Sequence, residues 1–303
     1  MKFGLDIGGT KIAGAAIDDD GREVAARRLP NPRGDYDGAV RNAAAVIDEL
    51  AAASGARPDR IGVCVSGNID RERGAIRLGT AWWLRDRPFR DDLGAATGAA
   101  VRLANDADCF ALSEAADGAG AGHRTVFGVI MGTGFGGGFV VGRRLVTGPV
   151  GIAGEWGHIP MPGGSPEELA AGPCSCGRHG CIEALLAGPG FAREFATVED
   201  LSGAAPSAEE IVARAAAGDP RADAALERYE ARLARVLGML VNLIEPEAVV
   251  FGGGLSNVER LWRNGSAAIE PHVFGGRCET RFVKNVHGDS SGVRGAARLW
   301  DED

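Results

Sequence analysis

Cys174, Cys176 and Cys181 fall within one short run, Cys-Ser-Cys-Gly-Arg-His-Gly-Cys. Cysteines that dense, in a long chain with no disulfide framework, point to a metal or redox role. Three thiolates and one imidazole complete the tetrahedral shell of a structural Zn²⁺. His158, in Gly154-Glu-Trp-Gly-His158, and His179, inside the cysteine run, both offer the imidazole, and spacing leaves the two open. Glu155 and Glu183 flank this region. A metal that fixed the loop would set both carboxylates to accept hydrogen bonds from sugar hydroxyls; the alternative for each is a solvated surface glutamate.

A second chemistry is written in glycine. Asp6-Ile-Gly-Gly-Thr-Lys11 follows a short apolar stretch. Gly8 and Gly9 let backbone N–H groups come close to an anion, and Thr10 adds a hydroxyl donor. Asp6 is placed to hold a hydrated Mg²⁺ beside phosphates. Lys11 stands out because only Lys2, Lys11 and Lys284 are lysines. No Walker loop is present. Gly132-Thr133-Gly134 and Gly252-Gly253-Gly254 also follow apolar strands, and three such loops favour nucleotide binding over three structural turns. Asn105-Asp106 stands where a strand gives way to a helix. Asp106 reads either as the N-cap or as a general base taking a proton from an attacking hydroxyl.

The elements that must position these residues alternate between strand and helix, which indicates an α/β protein. Strands are expected at Phe3–Asp6, through Ile17, at Glu23–Leu29, Ile61–Val65 and Val101–Ala104. The later ones are Thr125–Met131, Phe139–Val141 and Ala248–Phe251. Helices are expected at Tyr36–Leu50, from Asp106 to Ala116, after the capping box Ser207–Glu210, and after Asp219-Pro220. Strand, glycine-threonine loop, strand, turn, strand occurs twice, suggesting two related domains. Gly118–Gly122 reads as the boundary. The partition expected is a smaller N-terminal domain of 1–118 plus 290–303, and a larger one of 119–289 carrying the zinc loop.

Composition sets the outer limits. The chain has 303 residues, a net charge of −8, 45% hydrophobic and 24% charged residues. That is ordinary for a globular protein, and the acidic balance argues against general nucleic-acid binding. No run approaches a membrane span, and Met1-Lys2-Phe3-Gly4-Leu5-Asp6 has no signal-peptide character. A cytoplasmic location is expected. Cys64, in an apolar run, reads as a core residue.

Taken together, Asp6-Ile-Gly-Gly-Thr-Lys11, Leu103-Ala-Asn-Asp106, Met131-Gly-Thr-Gly134 with Gly136-Gly-Gly138, Gly154-Glu-Trp-Gly-His158, the Cys174–Cys181 run and Phe251-Gly-Gly-Gly254 resemble the ROK sugar kinases. The resemblance spans essentially the whole chain. Within the family, Arg102–Cys109, Phe274–Thr280 and His287–Ala297 look most like the bacterial manno(fructo)kinases. N-acetylglucosamine kinases are the nearest neighbours.

The resemblance implies an actin-like ATPase (ribonuclease H-like) fold, with two related domains around an interdomain cleft that holds ATP. It implies Asp106 as base, Asn105 as a sugar contact, and Glu155, His158 and Glu183 lining the sugar pocket. It makes His158 rather than His179 the zinc ligand beside Cys174, Cys176 and Cys181. Asp6 would organise Mg²⁺. Gly8, Gly9, Thr10, Lys11, Gly132, Thr133, Gly134, Gly252, Gly253 and Gly254 would surround the nucleotide. Gly67 and Thr80 belong to the sugar side, where the chain departs from the family: Thr80 stands where asparagine is usual, and Ser66-Gly67 where Pro-Gly is usual. Trp82 and Trp83 read as pocket-rim faces or as core.

The function expected is ATP-dependent phosphorylation of the 6-hydroxyl of fructose, also mannose and glucose. N-acetylglucosamine, N-acetylmannosamine or glucokinase activity is the alternative. A sugar-responsive regulator is the reading from another class; the early Asp6 motif, leaving no room for a DNA-binding domain, and retention of Asp106 argue against it. The partners expected are a hexose and ATP, in a homodimer, with no nucleic acid and no membrane.

Overall fold

The computed structural model describes residues 1–70, 72–77 and 79–301. Positions 302 and 303, the end of the expected first domain, lie outside them. The strands are β1 (Lys2–Ile7), β2 (Lys11–Ile17), β3 (Glu23–Pro30), β4 (Arg60–Val65), β5 (Ile69–Asp70), β6 (Ala75–Ile76) and β7 (Ala100–Asn105). They continue as β8 (Thr125–Met131), β9 (Phe135–Val141), β10 (Arg144–Leu145), β11 (Ala248–Gly252) and β12 (Arg281–Lys284). The helices are α1 (Tyr36–Ser54), α2 (Phe89–Thr97), α3 (Asp106–Asp117), α4 (Pro166–Ala170) and α5 (Ile182–Leu186). After them come α6 (Gly188–Val198), α7 (Ala208–Ala216), α8 (Pro220–Ile244), α9 (Glu259–Ala267) and α10 (Ser291–Ala297).

The repeat read from the sequence is present as topology. One five-stranded sheet runs β3-β2-β1-β4-β7 and the other β10-β9-β8-β11-β12. In the first, β1 pairs antiparallel with β2, as β2 does with β3, while β4 is parallel to both β1 and β7. In the second, β9 and β10 are antiparallel, and β11 is parallel to both β8 and β12. Each sheet thus takes the same order, with a hairpin unit followed by parallel strands.

The chain forms two compact units. The first comprises Met1–Arg124, Gly138–Ala153 and Val286–Asp303; the second comprises Thr125–Gly137 and Gly154–Asn285. The expected partition differs in assigning 119–124, 138–153 and 286–289 to the other part. The reason at Gly138 is close packing: a Cβ there would lie 2.6 Å from the Ala107 carbonyl oxygen, so this part of β9 presses on α3.

In the first unit, α1 and α10 cover opposite faces of the first sheet. A Cβ on Gly14 would meet Val46 and Leu50 of α1, whereas one on Gly62 would lie 1.7 Å from the Ala296 carbonyl oxygen of α10. Burial of Phe3, Leu5, Ile61, Val63, Ile47 and Leu50 builds the core. Asp35 caps α1, accepting from the Gly38 N–H at 2.8 Å, and Gly55 ends it at φ 70°. Glu114 of α3 is fully buried and accepts the N–H groups of Ala119, Val286 and His287 and the Ser291 hydroxyl. Its carboxylate therefore pins the returning chain just ahead of α10.

The second unit is organised by α8. Asp219 caps it, Pro220 opens it, and Glu245 closes it ahead of Pro246. Leu226, Leu233, Val236, Leu237 and Leu240 are buried, as the spacing predicts, and the Tyr229 hydroxyl donates to the Leu186 carbonyl at 2.8 Å. Ser207 and Glu210 form the expected capping box on α7. The strand expected to start at Phe139 begins at Phe135. Gly136–Gly138 are strand rather than loop because the chain there is crowded: a Cβ on Gly137 would lie 2.5 Å from the Phe127 ring. Among the described residues, no helix is long and apolar enough to cross a membrane.

Candidate active site

In the first unit the candidate residues leave one edge of one sheet. Ile7, Val65 and Asn105, the last residues of β1, β4 and β7, are level: Ile7 pairs with Val65, and Val65 with Asn105. The Gly8–Lys11 turn, Ser66-Gly67 and Asp106 therefore all start at the carboxyl ends of parallel strands, where open α/β sheets place ligands.

Asp6 lies one residue inside that edge. It shares a cross-strand row with Cys64 on one side and with Ala13 and then Arg28 on the other. Burial raises its pKa, opposed by the Cys64 thiol, Lys11 and Arg28. Asp6, Lys11, Arg28, Asp289 and Ser290 line a cavity of about 460 Å³. Cys64 is 1% exposed, as expected of a core residue, beside fully buried Cys109.

The turn itself is held by a residue that the sequence reading passed over. Asn31, 4% exposed, donates its side-chain amide to the Gly8 carbonyl at 2.7 Å. Its backbone N–H donates to the Thr10 carbonyl at 2.9 Å. The signal was an amide set between Pro30 and Pro32, directly after a strand that leads back to the turn.

Asn105, not Asp106, caps α3. Its Oδ1 accepts the Asp108 N–H at 2.7 Å, and Asp106 is the first helical residue. The cap falls on Asn105 because that residue keeps extended backbone, at φ −77° and ψ 167°. The Asp106 carboxylate is exposed and accepts the Ala107 N–H at 3.0 Å. Thr80 and Ser66, the two departures from the family pattern, meet each other: their hydroxyl oxygens are 2.7 Å apart, and the Thr80 N–H donates to Ser66 Oγ at 3.2 Å. Trp83 is core at 7% exposure, while Trp82 is exposed.

In the second unit, the loops after β8 and β11 lie together, because Gly252 pairs with Ile130. Gly253 takes φ 81°, and a Cβ there would lie 2.5 Å from the Met131 carbonyl oxygen. Gly132, Thr133, Gly188, Ser207, Gly254 and Leu255 line a cavity of about 380 Å³. The starts of α6 and α7 complete its wall, and nothing in their composition announced it.

Near that loop stand the carboxylates of the proposed sugar pocket. Trp156 is buried against Phe127 and Phe135, with ring centroids 5.1 and 5.3 Å away. A Cβ on Gly157 would lie 1.7 Å from the Phe135 carbonyl oxygen, so only glycine lets this loop seat. Glu155 and His158 are thereby turned together, with Oε2 and Nε2 3.7 Å apart. Burial raises the Glu155 pKa, offset by His158 and reinforced by Glu183.

The other ring nitrogen, His158 Nδ1, faces the cysteines, 3.4 Å from Cys174 Sγ. One donor atom each from His158, Cys174 and Cys176 lies within 4.8 Å of the others, and Cys176 and Cys181 sulfurs are 3.7 Å apart. A tetrahedral zinc with Zn–S bonds of about 2.3 Å sets two sulfurs about 3.8 Å apart, which the Cys176–Cys181 pair matches, while Cys181 lies outside the group that His158, Cys174 and Cys176 form. His179 is exposed and stands outside the group. The Arg178 guanidinium draws the Cys176 thiol down to about 6, whereas burial pushes Cys181 up to about 12.

The ROK family matches residues 2–303. The chain belongs to the ROK family. It is 36% identical to the N-acetyl-D-glucosamine kinase of Yersinia pseudotuberculosis serotype O:1b over 99% of this chain and 98% of that one. It is 37% identical to the corresponding enzyme of Erwinia tasmaniensis over 99% of both. Among solved structures, the ROK hexokinase of Thermus thermophilus aligns with a TM-score of 0.87 at 32% identity, covering 99% of this chain and 97% of that one. The ROK glucokinase of Streptomyces griseus, solved with glucose and AMPPNP, aligns at 0.77 and 28%, covering 100% and 99%. This ROK chain accordingly has the two-domain α/β, actin-like ATPase fold.

Proposed function

We propose that this ROK chain is an ATP-dependent sugar kinase that phosphorylates the 6-hydroxyl of a hexose. The observation that carries the reading is the common edge of β1, β4 and β7, which presents Asp6, the glycine turn and Asp106 side by side. Asp106 accepts the proton as the hydroxyl oxygen attacks the γ-phosphorus, whose bond to the β,γ-bridging oxygen breaks so that ADP leaves. Gly8, Gly9, Thr10, Lys11 and the loop Gly132–Gly134 hold phosphates, with Gly252–Gly254 on the nucleotide. Glu155, His158, Glu183, Asn105, Gly67 and Thr80 serve the sugar.

Asp6 is the residue to hold Mg²⁺, which neutralises phosphate charge when bound. His158, Cys174, Cys176 and Cys181 would hold a structural Zn²⁺, which would stiffen the two segments bearing Glu155 and Glu183. A homodimer and a cytoplasmic location complete this reading.

For the acceptor, identity to N-acetyl-D-glucosamine kinases across the full chain supports N-acetylglucosamine or glucose first. Fructose and mannose form the second reading, favoured by the C-terminal motifs and by Thr80. The Thr80 hydroxyl is already taken by Ser66, so it recognises a sugar less fully than an asparagine amide would. Competition kinetics over N-acetylglucosamine, glucose, mannose and fructose test both. A higher kcat/KM for N-acetylglucosamine supports the first, and one for fructose the second. Thr80→Asn should change the ratios severalfold while sparing ATP use. Turnover of none of the four refutes the kinase assignment.

A further inference from the structure

Glu183 uses both oxygens of its carboxylate on protein groups from two different loops. Oε2 accepts the backbone N–H of Phe135, the residue that ends the Gly132-Thr133-Gly134 phosphate loop, at 3.2 Å. Oε1 accepts the hydroxyl of Ser175, inside the cysteine loop, at 2.6 Å. The contact with the phosphate loop is tight: a Cβ on Gly134 would lie 3.2 Å from Oε2. Glu183 stands in the first turn of α5, its side chain 16% exposed, so its backbone is fixed and its carboxylate is the adjustable part.

We propose that Glu183 is a strut coupling the phosphate loop to the sugar-side cysteine loop, and that Ser175 is its positioning residue. This deepens the kinase reading and rests on it. A sugar hydroxyl that approaches Glu183 meets a carboxylate already held between two loops. Settling that carboxylate also settles the Phe135 N–H, and with it the loop that receives phosphates. Occupancy of either substrate therefore favours the other, and linkage makes the effect equal in both directions. Ser175 supplies a short, charge-assisted hydrogen bond, the stronger kind.

The test is calorimetric. The dissociation constant of the hexose that turns over fastest is measured on the zinc-loaded full chain, with and without a non-hydrolysable ATP analogue. Wild type should bind the hexose severalfold more tightly with the analogue present. Ser175→Ala should bring that ratio close to one, and Ser175→Thr, which keeps the hydroxyl, should restore it. Gly134→Ala, although it alters the phosphate loop, should weaken hexose binding about threefold or more with no nucleotide present, because its methyl group displaces Oε2.

A merely structural role would lower the melting temperature and leave these ratios alone. A wild-type ratio kept by Ser175→Ala, or nucleotide-free hexose binding unmoved by Gly134→Ala, overturns the proposal. Hexose binding without coupling in wild type overturns it alone. Failure of wild type to bind any hexose overturns the kinase reading along with it.

Discussion

Asp106 leaves its carboxylate exposed because Asn105 has taken over the capping of α3. Division of labour between the two side chains makes a clean substitution possible. Asp106→Asn keeps the shape and leaves the cap untouched, but cannot accept a proton. Turnover should fall about 10²–10⁴-fold, with ATP and sugar dissociation constants within a few fold of wild type. Steady-state rates beside equilibrium titrations decide it, and turnover within threefold of wild type removes Asp106 as base. At this scale the sequence was informative wherever residue type alone implied chemistry. Asp6, the glycine loops and the three cysteines stood out by residue type alone, whereas His158 needed the family resemblance to separate it from His179. Asn31 and Ser175 did not read, because their work is done by hydrogen bonds to groups distant in sequence. The Ser66–Thr80 contact stayed hidden for the same reason: each departure was visible, and their pairing was not.

Elements with strong local signals appeared where they were expected: α1 from Tyr36, α7 with its capping box, α8 between Asp219 and Pro246. Those made by tertiary packing did not. α4, five residues long, is held by what surrounds it. Glu168 closes its capping box with Ser165 and also accepts from Arg232 at 2.8 Å and Arg235 at 2.7 Å, both on α8. Burial alone would raise the Glu168 pKa. The bonds from Arg235 and Arg232 and from the Ser165 N–H outweigh it and bring the pKa to about 2. A depressed carboxylate stabilises the fold above its unfolded pKa and loses that contribution as pH falls through the folded value. Glu168→Gln should therefore cost about 1–3 kcal/mol near pH 7. The gap from wild type should shrink as pH drops from about 4.5 toward 2. Denaturant unfolding at a series of pH values measures it, and a gap constant across that range refutes the assignment.

For the whole molecule, the zinc reading makes a prediction that reaches beyond one loop. Metal analysis should find one Zn²⁺ per chain. Cys176→Ser should raise the sugar KM and lower the melting temperature by several degrees together, because His158 follows Glu155 by one short turn and Cys181 stands just ahead of Glu183 on α5. Zinc-free protein with wild-type KM and melting temperature would refute it. The twofold repetition of the sheet has a different kind of consequence. The last helix, α10, closes the first sheet, with Ala296 pressed on Gly62 and a Cβ on Gly295 set to fall 1.8 Å from the Cys109 carbonyl oxygen. A chain emerging from a ribosome would therefore expose the floor beneath Asp6 until α10 had been made. Loss of α10 would therefore strike a part of the protein far from it in sequence: the Gly8–Lys11 turn, made long before, would be left without the helix beneath it.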